Sequence, residues 1–206
     1  MVSSDTTRGP THWTSHPRPR RWACPVVLLA GCGLFELVRH ALVTTRNPNF
    51  LPSLILLGAA VVPATFPTFI AGRQLAPNLG ATTTAATALI GGVVGTVVAG
   101  TLEYDILQRL GTVPVASVAL IEETAKLLIP LALLLSPRYR RQPGHGLILG
   151  VAAGAGFAAL ETMGYAVTEL VQSHDNLAAL DSTLLQRGLL TPGAHMAWTG
   201  LTAAAL

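Results

Sequence analysis

The fold is decided by a long apolar stretch, residues 74–102, which reads QLAPNLGATTTAATALIGGVVGTVVAGTL and contains no Asp, Glu, Lys or Arg. An α-helix needs about 20 predominantly apolar residues to cross the hydrocarbon core of a bilayer, so this stretch is long enough for one crossing. Three further stretches share its lack of charge: residues 47–72, 142–160 and 188–206. The pattern predicts a membrane protein built from helices.

The composition of the whole chain agrees with a membrane location. Of the 206 residues, 50% are hydrophobic and 11% are charged, whereas a soluble globular domain has about 25% charged residues. This shortage of charge excludes a soluble enzyme and a disordered chain. The formal net charge of +3 does not indicate a nucleic-acid partner, because the basic residues lie between apolar runs and form no continuous patch.

The apolar stretches predict an all-α fold, a polytopic transmembrane helix bundle with about six spans in the lipid bilayer. Two of the spans contain charges that interrupt an otherwise apolar run. The predicted spans are residues 25–45, 51–71, 82–101, 112–135, 145–171 and 187–206. The last span runs into the end of the chain at Leu206, so we expect the C-terminal part of the domain to be missing.

The charges outside the predicted spans favour one orientation. Residues 1–22 are rich in Ser, Thr, Pro and Arg and are predicted to form a disordered basic tail ahead of one domain over residues 23–206. The tail and the loops on the same side of the membrane together contain eight arginines. The loops on the opposite side contain three, Arg46, Arg109 and Arg187. Because cytoplasmic loops carry the excess of Lys and Arg, we expect the N-terminus to lie in the cytoplasm.

Three of the predicted spans carry ionisable residues at a similar depth. Glu122 and Glu123 lie in the fourth span, Glu161 in the fifth and His195 in the sixth, although each charge at mid-bilayer costs about 2.5 kcal/mol or more. At about 1.5 Å per residue, Glu122 and Glu161 are about 15 Å and His195 about 12 Å from the outer ends of their spans. We therefore expect these side chains to meet at one level.

The spacing in the fourth span separates its two glutamates. Glu122 and Lys126 are four residues apart and share a helix face, so they are predicted to form an ion pair. Glu123 is turned by about 100° from Glu122. One glutamate can then face a cavity while the other contacts a neighbouring helix.

A second stripe lies on the fifth span, where Phe157, Glu161 and Tyr165 follow one another at intervals of four residues. Structural interpretations remain open for all of these groups. The Glu122–Lys126 pair can simply hold the bundle together, Glu161 can be a protonated hydrogen-bonding carboxyl group, and a single membrane histidine is often a packing residue.

Two carboxylates and an imidazole in a water-accessible pocket suit hydrolysis. A carboxylate in a low-dielectric site can take a proton from water, and a histidine or a second acid can stabilise the oxyanion or protonate the leaving amine. The same set can instead bind Zn²⁺ through imidazole nitrogen and carboxylate oxygen. The chain has no His-Glu-x-x-His motif, so the sequence leaves zinc and metal-free chemistry both open.

Three motifs on successive spans resemble the PrsW family of bacterial intramembrane proteases, which is distantly similar to the CAAX prenyl endopeptidases. The resemblance covers about residues 25–206. The motifs are Glu122-Glu123-x-x-Lys126, Gly-x-Gly-Phe157-x-x-x-Glu161 with Tyr165, and His195 with Trp198-Thr199.

The resemblance implies an intramembrane endopeptidase of the bacterial cell membrane that cleaves membrane-anchored proteins, with residues 23–206 as the protease-like domain. It implies a catalytic set of Glu122, Glu123, Glu161 and His195. The resemblance is compatible with a divalent metal such as zinc as the cofactor and equally with water activated by a glutamate, so the peptidase is expected to be of the metallo- or the glutamic type. The ligands of the metal would come from Glu161, His195 and Glu123, and the supporting residues would be Lys126, Tyr165 and Phe157.

Two other functions are compatible with ionisable residues inside a membrane. A proton-coupled transporter also uses membrane acids as relays, but the sequence shows no inverted repeat of the charged motifs that would favour one. A membrane scaffold that has kept the fold and lost its catalytic activity is the other alternative.

Overall fold

The computed structural model describes residues 22–73, 79–137, 139 and 142–206, and these residues form helices and no strands. The predicted all-α bundle is confirmed, and each predicted span corresponds to one helix. The helices are α1 (Ala23–Thr45), α2 (Leu51–Gly72), α3 (Ala81–Leu110), α4 (Val115–Leu134), α5 (Pro143–Gln172) and α6 (Leu177–Ala205), with a 3-10 turn at Pro48–Phe50.

The predicted N-terminal tail lies outside the described residues, apart from Trp22. The same holds for three of the arginines that favour a cytoplasmic N-terminus, Arg138, Arg140 and Arg141. The tail and the orientation therefore stay predictions.

The sixth helix begins well before the predicted span. Asn176 is its N-cap, and the side-chain oxygen of Asn176 accepts hydrogen bonds from the backbone N–H groups of Ala178 and Ala179 at 3.0 and 3.3 Å. An Asn oxygen in this position satisfies backbone donors that the first helical turn leaves unpaired. Arg187 therefore lies within α6, and the prediction that it belongs to a loop is wrong.

The third helix is also longer than predicted. It continues to Leu110 and ends at Gly111, which has a φ of 70°. Glycine is favoured in this left-handed position at a helix C-terminus. Arg109 consequently lies in a helix and not in a loop. Hydropathy places the end of α3 too early and the beginning of α6 too late. A charged side chain interrupts the apolar run without interrupting the backbone hydrogen bonds of the helix.

Four helices are long and apolar enough, by length and composition, to cross a membrane: α1, α2 with the 3-10 turn before it, α3 and α5. The fourth helix is not among them, since Glu122, Glu123 and Lys126 lie close together in its middle. The sixth helix is also not among them, and it carries Asp181 and Arg187 in its first half. Both charged helices pack against α5.

The fifth helix lies at the centre of the bundle and packs against α2, α3, α4 and α6. Its contact with α6 depends on small residues, because Gly154 faces the α6 backbone directly. A Cβ atom at Gly154 would lie 2.7 Å from the backbone oxygen of His195. Close approach of helix backbones through small residues is typical of membrane bundles. Here it brings α6 next to the α5 face that carries Glu161.

An apolar cluster and an ion pair connect α1 and α2 with the rest of the bundle. Arg39 of α1 contacts Glu36 at 2.9 Å and Asp181 of α6 at 3.6 Å. The cluster consists of Phe35, Leu42, Leu54, Ile55, Ala166, Leu180 and Leu184.

Candidate active site

The fourth helix contributes two carboxylates that share one ammonium group. Lys126 Nζ lies 2.8 Å from Glu123 Oε1 and 3.3 Å from Glu122 Oε2. The predicted Glu122–Lys126 pair is therefore present, and Glu123 joins it. The Lys126 side chain is 0% exposed. Burial of an isolated ammonium group is very unfavourable, so the two carboxylates compensate the lysine charge.

Lys126 also touches the two neighbouring helices. Its ammonium lies 4.4 Å from the centre of the Phe157 ring of α5, a cation–π contact. The same nitrogen is 2.6 Å from Nδ1 of His195 in α6. Phe157 is buried, and its ring centre is 5.5 Å from that of His195. Lys126 thus lies where α4, α5 and α6 meet, and Phe157 forms an apolar wall beside it.

The imidazole of His195 has a different glutamate near each ring nitrogen. Nε2 is 3.1 Å from Glu161 Oε2, and Nδ1 is 4.0 Å from Glu123 Oε1. The other oxygen of Glu123 accepts a hydrogen bond from the Thr199 hydroxyl at 3.4 Å. The structure therefore brings Glu123, Glu161 and His195 together across three helices, as their depth in the predicted spans led us to expect.

The two facing atoms of the Glu161–His195 contact lack hydrogen bonds. Glu161 Oε2 and His195 Nε2 are both buried, and neither has a hydrogen-bond partner among the described residues. Buried polar atoms normally have a partner, and each exception calls for an explanation. A group bound between these atoms would satisfy both of them.

A set of three ligand atoms fits such a group. One atom each from Glu122, Glu161 and His195 lies within 4.8 Å of the other two. Imidazole nitrogen and carboxylate oxygen are both zinc ligands, and catalytic zinc sites have three protein ligands with a fourth position left open. The residues present therefore fit a divalent metal. This set differs from the predicted one, because it contains Glu122 where the sequence had suggested Glu123.

The other oxygen of Glu161 has a partner that the sequence did not indicate. Arg187 Nη2 lies 2.7 Å from Glu161 Oε1. The guanidinium carbon of Arg187 is 3.6 Å from the centre of the Tyr165 ring. The structure thus places Tyr165 beside Arg187, and Tyr165 has no described contact with His195. The capping residue Asn176 was the one signal in the sequence that α6 begins early enough to include Arg187.

Two further polar residues near the carboxylates were missed. Thr199 follows His195 by one helical turn in the third motif, and its hydroxyl contact with Glu123 depends on how α6 is turned. Glu103 of α3 has one buried oxygen, Oε1, that lacks a hydrogen-bond partner in the described part of the chain. No pattern in the sequence linked either residue to the glutamates of α4 and α5.

Comparison with protein families gives one match. A family model described as PrsW family intramembrane metalloprotease matches residues 79–206. The match covers more than half of the chain and includes α3 to α6, which carry every residue of the candidate site. Comparisons with curated proteins and with solved structures find no match.

Proposed function

Because the chain belongs to the PrsW family of intramembrane metalloproteases and is an integral membrane protein, we propose that it is an endopeptidase that hydrolyses peptide bonds of membrane-anchored proteins. The observation that carries the proposal is the contact between Glu161 and His195, whose facing atoms are buried and lack hydrogen bonds. The proposal extends to a protease domain over residues 23–206 in a bacterial cell membrane, with the N-terminus in the cytoplasm.

Glu122, Glu161 and His195 are the residues that would hold a divalent ion such as zinc. When bound, such an ion supplies Lewis-acid polarisation of the scissile carbonyl group. Each of the three ligands comes from a different helix, so the packing of α4, α5 and α6 fixes their separation.

The protonation of His195 decides which of its nitrogens is available as a ligand. A neutral imidazole that binds through Nε2 carries its proton on Nδ1. The nearest carboxylate to that proton is Glu123, whose Oε1 is 4.0 Å from Nδ1 and would have to move closer to accept a hydrogen bond. Lys126 Nζ, now 2.6 Å from Nδ1, would have to move away, because both groups would then be donors, and it would donate to the carboxylates of α4 alone. A carboxylate that orients a histidine ligand in this way is common in metalloenzymes.

Glu123 is the residue that we propose as general base. Its side chain is 36% exposed, compared with 16% for Glu122, so water can reach it more easily. Glu123 would accept a proton from the attacking water and pass it to the nitrogen of the leaving amine. Lys126 and Thr199 would hold the two carboxylate oxygens in place through the contacts described above.

The test uses the full-length protein in proteoliposomes with a membrane-tethered reporter that carries a tag at each end. In isotopically labelled water, the parent protein should produce a new C-terminus that contains one labelled oxygen. Glu123→Gln should reduce the rate by about 100-fold or more, and Glu36→Gln, a carboxylate variant in α1, should not. Ion flux across the same vesicles without any cleavage would contradict the proposal and favour a transporter.

A further inference from the structure

The arginine of α6 lies two turns before His195 and reaches back to the fifth helix. Arg187 Nη2 is 2.7 Å from Glu161 Oε1. The side chain of Arg187 is 25% exposed and that of Glu161 is 14% exposed. An arginine in a membrane helix carries a high free-energy cost and usually pairs with another polar group. Here its partner is a carboxylate of the candidate site, and not one of the acidic residues at the helix ends.

The position of the guanidinium is fixed by a second contact. Its central carbon lies 3.6 Å from the ring centre of Tyr165, one helical turn after Glu161 on the same face of α5. Arginine stacks well on aromatic faces because its guanidinium is planar and delocalised. Glu161 and Tyr165 together therefore restrict both the direction and the plane of the Arg187 side chain.

The backbone at this level of α6 is held as well. A Cβ atom at Gly188, the next residue, would collide with the backbone oxygen of Gly58 in α2. The α6 backbone beside Arg187 thus packs directly on α2. This contact restricts movement of α6, and therefore of Arg187, relative to α2.

We propose that Arg187 is a positioning residue for Glu161, with Tyr165 as its support. By binding Oε1, Arg187 leaves Oε2 as the oxygen that faces His195 Nε2. The terminal torsion of a glutamate is soft and has two equivalent orientations. Without Arg187, the carboxylate plane would rotate more freely, and an oxygen would lie opposite His195 Nε2 for a smaller fraction of the time. This inference rests on the proposed function, since it assigns Arg187 a role in the same site.

The test compares Arg187→Gln with Arg187→Lys in the full-length protein. Removal of a group that orients a metal ligand typically weakens metal affinity by about 10- to 100-fold. We expect Arg187→Gln to raise the Kd for zinc by about tenfold or more and to lower kcat more than it raises KM. Arg187→Lys keeps the charge without the planar fork, so it should recover only part of both losses.

Tyr165 provides a second pair of variants in case Arg187→Gln does not fold. Tyr165→Phe keeps the aromatic face and should bind zinc like the parent protein. Tyr165→Leu removes the face and should weaken zinc binding. The matched control is Arg39→Gln, since Arg39 also pairs with an acidic residue of another helix, Asp181, but does not touch the site. Arg39→Gln should leave the zinc Kd unchanged.

A double-mutant comparison separates positioning from a general structural effect. If Arg187 acts through Glu161, Arg187→Gln should not weaken zinc binding further in a Glu161→Gln background. A lower unfolding temperature with unchanged zinc Kd and kcat in Arg187→Gln and Tyr165→Leu would overturn the inference. In that case cleavage by the parent protein would still support the proposed function. Zinc binding that depends on Arg187, in a parent protein that cleaves nothing, would instead overturn the function and leave the positioning role intact.

Discussion

His195 Nε2 lies 3.1 Å from Glu161 Oε2, across the interface between α5 and α6, and neither atom has a hydrogen bond among the described residues. The opposite ring nitrogen faces Lys126 and Glu123 of α4. The imidazole thus separates two chemical environments. An ammonium and a carboxylate lie on its Nδ1 side, and an unsatisfied carboxylate oxygen lies on its Nε2 side.

This arrangement predicts different roles for the two adjacent glutamates of α4. Glu122 belongs to the group of three ligand atoms, so Glu122→Gln should weaken zinc binding. Glu123 contacts Lys126 and Thr199 and is not one of these three ligands, so Glu123→Gln should weaken zinc binding less than Glu122→Gln does, while kcat falls by about 100-fold or more. Equilibrium zinc titration and reporter cleavage on the same preparations measure both effects. Loss of zinc in Glu123→Gln with zinc retained in Glu122→Gln would reverse the assignment.

The buried lysine predicts a large effect on stability. Lys126→Met removes the cation that both α4 carboxylates contact, and removal of one member of a buried charge cluster costs about 3–5 kcal/mol. We expect a marked decrease in the free energy of unfolding, measured by denaturant titration in detergent.

A second substitution that removes one carboxylate charge is the control for this prediction. Adding Glu123→Gln to Lys126→Met removes one of the uncompensated charges and should restore part of the lost stability. If Lys126→Met unfolds at the same denaturant concentration as the parent protein, the ammonium does not hold the cluster together.

The contact between α5 and α6 can be tested with a pair of glycines in one helix. A Cβ atom at Gly154 would lie 2.7 Å from the His195 backbone oxygen, whereas a Cβ atom at Gly164 would meet nothing within 4 Å. Gly154→Ala should therefore push α6 away, with a loss of about 1–3 kcal/mol in stability and slower reporter cleavage. Gly164→Ala should leave cleavage and stability near parent values. Equal cleavage rates for the two variants would show that this close approach does not position His195.

The sequence predicted the number and type of elements well, because an uncharged apolar run identifies a helix of spanning length without further information. It predicted the beginning of α6 poorly, because Asp181 and Arg187 interrupt the apolar pattern although the helix already starts after Asn176. The error had a functional consequence, since it placed Arg187 at the boundary of the predicted span, where its charge was counted with the loop, and hid its contact with Glu161.

The residues of the site were predicted more fully than their arrangement. Depth along each span suggested that Glu122, Glu161 and His195 lie at one level, since this follows from the rise per residue. Which glutamate of α4 faces Glu161 depends on the rotation of that helix about its axis. That rotation is set by packing between helices, such as the contact of Gly95 in α3 with the α4 backbone at Ala125 and Lys126, and periodicity within a single helix does not reveal it.

The most direct test of the central claim takes one variant from each of the three helices that meet at the site. Reporter cleavage in proteoliposomes is measured for the full-length parent protein, Glu122→Gln, Glu161→Gln, His195→Ala and the control Glu36→Gln. We expect the three site variants each to lose about 100-fold or more of the parent rate, while Glu36→Gln retains it. Cleavage by all three site variants at the parent rate would contradict the claim that these helices form one catalytic site.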